Sequence, residues 1–198
     1  MLYNSRLSNA RLKMKTIILD QVLSQKELFY MYKQLISSHN WIMNGASGPH
    51  QGFMCGPALV AKDNNGYVHN PPFCLWGQSL IFKIEKLLES KKIGMPTEVK
   101  RMWFNVTFHG KKTQHWLHQD DQVTSKLKSI VLFMTPIWQP DWKGSFFVDG
   151  EEFKFKPGSA VIFDSREFHT GESPESETHN WQRLTCNIIV GHSDDTSI

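Results

Sequence analysis

The sequence predicts a mainly β domain in which N-terminal helices support a jelly-roll core of strands. Apolar residues recur at helical spacing in two segments of the first half, and from residue 98 the pattern changes to short runs rich in β-branched and aromatic residues. The 198 residues, 40% of them apolar, can enclose one substantial core but not two ordinary ones. We therefore predict one domain over residues 15–198, preceded by a flexible extension at residues 1–14.

Two helices are predicted before the strands. Ser24 is suited to cap a helix, and the apolar residues behind it lie on one stripe: Leu28, Met31, Tyr32, Leu35 and Ile36. A short strand at residues 16–19 precedes this helix. A second helix is predicted over residues 77–91, where apolar residues repeat on one face until Gly94 and Pro96 end the pattern. Between them, residues 41–73 are rich in Gly, Pro and Asn and are predicted to be a long loop region with at most short strands.

About eight antiparallel strands are predicted in the second half of the chain. Turn residues separate the runs VKRMWFNVTF, TQHWLHQD, LKSIVLFMT, GSFFVDG, EEFKFK, SAVIFDS, EFHTGE and RLTCNIIVG. Asp149-Gly150 is the strongest hairpin signal in the chain. Two helices followed by such strands indicate a closed or double-sheet β core with the helices on one side.

Composition argues against several classes of protein. The 22 basic and 19 acidic residues are spread along the chain, so no block predicts a nucleic-acid-binding face. Three cysteines without CxxC spacing indicate neither a disulfide framework nor a structural zinc site, and free thiols suit a reducing cytoplasm. The first residues lack the apolar run of a secretory signal, and no run approaches the roughly 18 apolar residues of a membrane span. We expect a cytoplasmic protein without a membrane partner; the pattern does not indicate an oligomeric state.

The densest polar cluster is HWLHQDD at residues 115–121. Side chains alternate faces on a strand, so His118 and Asp120 should point the same way, while His115 and Asp121 are out of phase with them. An isolated HxD pair is a weak signal, but His169 follows 49 residues later, after an apolar strand. Two histidines and one carboxylate form the facial triad of non-haem Fe(II) sites, whereas zinc hydrolases more often use three histidines or two with a glutamate.

A second candidate group follows the last histidine of this set. Arg183 lies 14 residues beyond His169 on a predicted strand, with Thr185 on the same face. A buried guanidinium needs a partner, and its planar fork suits a carboxylate in two-point contact. The alternative is that Arg183 pairs with a protein carboxylate such as Asp164 or Glu172.

With these motifs in this order, residues 98–191 resemble the 2-oxoglutarate-dependent Fe(II) oxygenases, and within them the prolyl 4-hydroxylase-like branch with its small bacterial and phage members. The resemblance implies a double-stranded β-helix, cupin-like, in which His118, Asp120 and His169 bind Fe(II). It also implies that Arg183, with Thr185, holds the distal carboxylate of 2-oxoglutarate. Many prolyl hydroxylases have lysine where Arg183 stands.

Two further positions bear on the resemblance. The family's tyrosine on the strand before HxD is replaced by Trp103, Phe104 and Asn105, and we take Asn105 as the second 2-oxoglutarate contact. Asp120 argues against the related halogenases, in which a small residue replaces this carboxylate.

The reaction implied by the resemblance is hydroxylation of an unactivated C–H bond, with O2 and 2-oxoglutarate consumed, succinate and CO2 released, and ascorbate as a stimulating reductant. The expected substrate is a peptidyl residue, above all proline, on a peptide or protein. Residues 41–73 would grip the extended chain through main-chain hydrogen bonds, and Trp76, Trp138 or Trp142 would cradle the ring.

Three other functions remain open from the sequence. The oxygenase could act on a free small metabolite. The same strand pattern also permits a cupin-type barrel that binds a metal or a sugar without oxygenase chemistry. The last alternative is a sensor that binds 2-oxoglutarate without turnover.

Overall fold

The computed structural model describes residues 15–37, 42–43, 53–63, 66–69, 71–95, 98–108, 117–121, 126–175 and 181–192. The helices are α1 (Gln25–Ile36) and α2 (Pro71–Ser90), with a single 3-10 turn at Pro140–Trp142. The strands are β1 (Ile17–Leu19), β2 (Ile42–Met43), β3 (Phe53–Asp63), β4 (Gly66–His69), β5 (Glu98–Thr107), β6 (Lys128–Phe133), β7 (Phe146–Val148), β8 (Glu151–Phe153), β9 (Ala160–Asp164), β10 (His169–Gly171) and β11 (Arg183–Gly191). The predicted extension at residues 1–14 lies outside the described residues. The single-domain boundary stays a prediction.

The first helix begins where its cap predicts. The Ser24 hydroxyl accepts a hydrogen bond from the Glu27 backbone, and the Glu27 carboxylate accepts one from the Ser24 backbone, which completes a capping box. The four buried residues of α1 are all on the predicted stripe: Leu28, Met31, Tyr32 and Leu35. Ile36, the last predicted member, is 38% exposed.

The strands form two antiparallel sheets. The larger has the order β1-β9-β6-β11-β5-β3-β2, with β4 paired to β3, and the smaller has the order β10-β7-β8. Successive side chains of the large sheet point to opposite faces, and each face contributes to a different hydrophobic core. Leu132 lies in the core shared with the helices, whereas Val131 and Phe133 lie in the core shared with the small sheet. The predicted class, mainly β with two supporting helices, is confirmed.

The prediction for residues 41–73 is wrong in part. An eleven-residue strand, β3, occupies residues 53–63 and pairs with β5, β4 and β2. Its register against β5 shifts between Cys55 and Ala58, so Gly56 and Pro57 fall at an irregularity where Pro is tolerated. Local composition favoured a loop, but pairing with β5 satisfies the backbone of this segment. Helix α2 also begins at Pro71, six residues before the predicted start, because Pro suits a first helical turn.

The predicted strand TQHWLHQD is also wrong over the residues that the structure describes. Residues 117–121 form no strand, and their only ladder contact is a single antiparallel bridge between His118 and His169. Residues 113–116 lie outside the described residues. The side chains of His118 and Asp120 nevertheless converge, as reported below.

The hairpin predicted at Asp149-Gly150 is present. Val148 pairs with Glu151, so the loop has two residues, and both have positive φ, 46° for Asp149 and 84° for Gly150. These are the features of a type I′ turn, whose twist matches that of the paired strands.

Gly158 should be far less tolerant of substitution than Gly150. Both have positive φ, but a Cβ at 158 would lie 2.5 Å from the Leu23 carbonyl oxygen, whereas one at 150 would meet nothing within 4 Å. We expect Gly150→Ala to lower the free energy of unfolding by about 1–2 kcal/mol, the cost of the left-handed conformation. Gly158→Ala should cost about 1–3 kcal/mol more, since the contact displaces packed backbone. Urea unfolding measures both free energies. Equal losses of unfolding free energy in the two variants would contradict the predicted steric clash at Gly158.

Neither helix of the described residues combines the length and the apolar composition that a bilayer crossing requires.

Candidate metal centre

Three side chains converge at one edge of the small sheet. His169 is the first residue of β10, and paired backbone hydrogen bonds join it to His118: His118 N to His169 O is 3.1 Å, and His169 N to His118 O is 2.9 Å. This bridge places the two imidazole rings 4.2 Å apart between centroids. Asp120 completes the group, with one donor atom from each of the three side chains lying within 4.8 Å of the others.

Each oxygen of the Asp120 carboxylate faces a different imidazole. Oδ1 is 3.8 Å from His118 Nε2, and Oδ2 is 3.5 Å from His169 Nε2. His169 is buried against Phe146 and Phe163, whereas the His118 side chain is 52% exposed. The group therefore lies at the mouth of the space between the sheets, with one side open to solvent.

The tautomer of His169 is set by the backbone. Its Nδ1 lies 3.0 Å from the Glu167 carbonyl oxygen, which can only accept a hydrogen bond. Nδ1 therefore carries a proton, which leaves Nε2, on the side where Asp120 lies, as the nitrogen that can bind a metal. A metal-binding histidine is commonly oriented in this way.

Asp120 is held ionised. Burial by itself raises the pKa of this carboxyl, but the nearby His169 and His118 and the hydroxyl of Ser129 together keep the pKa below its ordinary value. A charged carboxylate with two imidazole nitrogens is a donor set that suits Fe(II). No other group of three His, Cys, Asp or Glu side chains converges in the part of the chain that the structure describes.

The other polar residues of HWLHQDD have different positions. Asp121 is buried and outside the converging group, and its N–H donates to the Ser165 carbonyl oxygen over 3.0 Å. Gln119 donates from its side-chain amide to the backbone carbonyl of Arg166. His115 and His109 lie outside the described residues.

Arg183 is a buried cation with an unused donor. Its Nε donates to the Gly144 carbonyl oxygen over 2.7 Å, while Nη2 is buried and has no hydrogen-bond partner among the described residues. The guanidinium carbon lies 5.5 Å from the centroid of Phe155. A Cβ on Gly171 would lie 3.3 Å from the guanidinium nitrogens, so this charge is adjacent to the strand that begins with His169.

The predicted alternative partners of Arg183 are engaged elsewhere. Asp164 hydrogen bonds with Lys128 and Arg166, and Glu172 accepts from the Ser145 N–H over 3.1 Å. Glu172 acts on Arg183 only through its charge. Burial lowers the pKa of Arg183 to about 10, which leaves it cationic at neutral pH.

Polar residues of β5 and β11 share a sheet face with this cation. Thr185 pairs with Asn105, and Arg183 pairs with Thr107, so all four lie on the face that also carries Phe133. Within the part of the chain that the structure describes, Asn105 Oδ1 and Thr107 Oγ1 are buried without hydrogen-bond partners, like Arg183 Nη2. Sequence reasoning missed Thr107, although it lies two residues from Asn105 and therefore on the same strand face.

The tryptophans predicted to line a substrate site differ in position. Trp138 packs on Phe155, with ring centroids 4.4 Å apart, and Trp142 meets Trp138 edge to face at 5.5 Å. Both lie on the Arg183 side. Trp76 contacts Phe104 and packs against the helix-side core, on the opposite face of the large sheet, so its predicted role is wrong.

Comparison with known proteins identifies the fold. An oxidoreductase of the 2OG-Fe(II) oxygenase family from Burkholderia pseudomallei is similar with a TM-score of 0.62 and 11% identity, over 89% of this chain and 84% of that one. A prolyl hydroxylase from Trichoplax adhaerens, in complex with a peptide fragment of hypoxia inducible factor, has a TM-score of 0.56 and 13% identity, over 89% and 83%. The fold is that of the 2-oxoglutarate/Fe(II) oxygenases. The predicted resemblance is confirmed at this level.

The same fold also occurs in an enzyme with a different role. The non-haem α-ketoglutarate-dependent carbocyclase SnoK from nogalamycin biosynthesis has a TM-score of 0.63 and 13% identity, over 92% of this chain and 81% of that one. No family model matches the chain, and no curated protein matches its sequence.

Proposed function

We propose that this chain is a 2-oxoglutarate- and Fe(II)-dependent dioxygenase that hydroxylates an unactivated C–H bond. The observation that carries the proposal is the convergence of His118, Asp120 and His169 beside a buried Arg183 whose Nη2 has no partner. A facial triad alone would suit several metal proteins. A buried cation with a free donor, next to the strand of a metal ligand, calls for an anionic group that is not part of the protein.

The two imidazole nitrogens and the Asp120 carboxylate would hold Fe(II). Iron with O2 and 2-oxoglutarate would supply the oxidising chemistry, with succinate and CO2 as coproducts. The protein's own contribution is positional. It holds His169 through Glu167, keeps Asp120 charged, and leaves His118 open toward solvent.

Arg183 would anchor the cosubstrate. 2-Oxoglutarate carries a carboxylate at each end, so one end can face the metal centre while the other meets the guanidinium. Arg183 Nη2 and the hydroxyl of Thr185 would hold the distal carboxylate, and Asn105 would supply a further contact from β5. The aromatic packing of Phe155 and Trp138 excludes water there, which strengthens a charge-assisted hydrogen bond.

The two facing antiparallel sheets suit the double-stranded β-helix, or jelly roll, that we propose as the core, and residues 15–198 would be the domain that contains it. A cupin-type binding protein would not need a buried cation with a free donor between its sheets. The orphaned donor of Arg183 therefore favours the oxygenase over that alternative. A 2-oxoglutarate sensor would have the same site, and turnover alone separates it from an enzyme.

The substrate that we propose is a peptidyl residue, above all proline. The exposed side of His118 supports it, because a residue carried on a polymer must reach the metal from the surface. The prolyl hydroxylase of similar fold that binds a peptide is a second support. From the sequence, residues 41–73 are expected to bind the substrate through main-chain hydrogen bonds. This expectation needs revision, since the backbone of β3 is paired within the sheet. Trp138 and Trp142, both at the Arg183 side, remain the aromatic candidates.

We expect succinate to form when the protein is supplied with Fe(II), 2-oxoglutarate, O2 and ascorbate, and to increase with the right substrate. A proline-rich peptide library and a panel of free amino acids are compared, and addition of one oxygen atom is measured by mass spectrometry. Asp120→Ala is the matched inactive control. Oxidation confined to free amino acids would overturn the peptide proposal and keep the oxygenase, whereas tight 2-oxoglutarate binding without succinate would indicate a sensor.

A further inference from the structure

We propose that Ser129 and Ser165 form a buried hydroxyl pair that positions the Asp120 carboxylate and directs it to bind metal through one oxygen. The inference rests on the proposed function, since it concerns the geometry of the proposed iron site. Neither serine contributes a donor atom to the triad, so both are positioning residues.

The contacts form one chain of hydrogen bonds. Ser129 Oγ lies 2.6 Å from Asp120 Oδ2 and 2.9 Å from Ser165 Oγ. Both serines are buried, with 1% and 0% of their surface exposed. Ser129 is on β6 and Ser165 directly follows β9, so the pair spans two adjacent strands of the large sheet.

The direction of the hydrogen bonds follows from the few protons that these groups share. Ser129 donates its single hydroxyl proton to Asp120 Oδ2, since a metal-binding carboxylate oxygen acts as an acceptor. The Ser129 oxygen can then only accept from Ser165, which must donate. Each hydroxyl polarises the next, which strengthens the bond at the carboxylate.

The backbone of the 164–167 turn reinforces this arrangement. The Ser165 carbonyl oxygen accepts from Asp120 N over 2.9 Å, and the Glu167 carbonyl oxygen holds His169 Nδ1 over 3.0 Å. One turn therefore orients both the main chain of one proposed ligand and the ring of another. The Ser165–Ser129 pair extends the same control to the Asp120 side chain.

The two oxygens of Asp120 consequently differ. Both oxygens face an imidazole, Oδ2 that of His169 at 3.5 Å and Oδ1 that of His118 at 3.8 Å, but Oδ2 alone accepts the Ser129 hydrogen bond. A carboxylate with one oxygen occupied in this way favours ligation through the other, which leaves more coordination positions for cosubstrate and O2. Ser129 pairs with Phe163 of β9 at a buried position of the large sheet. An apolar residue at this position would avoid the cost of burying a hydroxyl.

Measurements of metal affinity distinguish the positioning role of Ser129 from a role in packing alone. Ser129→Ala is compared with Ser159→Ala, because Ser159 is also buried but its hydroxyl donates to the Lys156 carbonyl oxygen over 2.8 Å instead of to a proposed ligand. We expect Ser129→Ala to weaken Co(II) or Mn(II) binding by about 10- to 100-fold, the usual effect of removing a group that orients a ligand. Ser165→Ala should weaken it less, and Ser129→Thr should restore most of it.

The visible spectrum of bound Co(II) is the readout that packing would not change. Loss of the Ser129 hydroxyl frees Oδ2, so the ligand-field bands should shift in Ser129→Ala and stay as in wild type in Ser159→Ala. Unchanged affinity and spectrum in Ser129→Ala would overturn the proposal, as would equal changes in both alanine variants. If Ser129→Ala does not fold, Ser165→Ala decides by the same two measurements. Failure of the proposed iron site is distinct, since Asp120→Ala would then bind Co(II) like wild type.

Discussion

Replacing His118, Asp120 or His169 by alanine should abolish tight Fe(II) binding in each case while the fold is retained. The three donors lie within 4.8 Å of one another and no fourth His, Cys, Asp or Glu among the described residues joins them. Loss of one leaves two protein ligands, which should hold Fe(II) far more weakly against water. The large effect follows because metal affinity depends on the complete set of deprotonated ligands.

The measurement is metal content by elemental analysis, together with anaerobic titration calorimetry. His192→Ala and Asp20→Ala are matched controls, since both residues are exposed and lie outside the converging group. Circular dichroism establishes that each variant is folded. Wild-type metal content in all three variants would contradict the assignment of these residues as metal ligands.

Arg183→Ala should weaken 2-oxoglutarate binding by about ten- to a hundred-fold, because a hydrogen bond to a charged group contributes roughly 1.5–3 kcal/mol. Iron affinity measured without cosubstrate should change much less, since Arg183 is not among the converging donors. The guanidinium is buried and its pKa of about 10 keeps the charge at neutral pH, so little of the contact is lost to solvent.

Two further variants sharpen this test. Arg101→Ala removes an exposed arginine stacked on Trp103, 4.4 Å from the ring centroid, and should leave 2-oxoglutarate affinity unchanged. Arg183→Lys keeps a charge but loses the planar fork, so its affinity should be intermediate. Equal 2-oxoglutarate affinity in wild type and Arg183→Ala, measured by calorimetry, would exclude Arg183 from the site.

Sequence alone determined those features in which neighbouring residues control the backbone. The Ser24 cap and apolar stripe of α1, the Asp149-Gly150 hairpin and the long β-rich runs at β5, β6, β9 and β11 all formed as predicted. The HxD spacing also brought His118 and Asp120 onto one side, although a bridge rather than a strand carries them. Here local conformational preference and tertiary structure agree.

Tertiary structure decided what depends on distant partners. β3 is a strand because β5 offers it a hydrogen-bonding edge, despite a composition typical of loops. The β5–β11 register pairs Thr107 with Arg183. Ser129 reaches Asp120 only because β6 and the turn after β9 meet at the candidate metal centre. A serine or threonine within an apolar strand looks the same in sequence whether its hydroxyl meets a backbone carbonyl, a proposed metal ligand or no protein group at all. Only the packing of the sheets settles which of these partners a buried hydroxyl has.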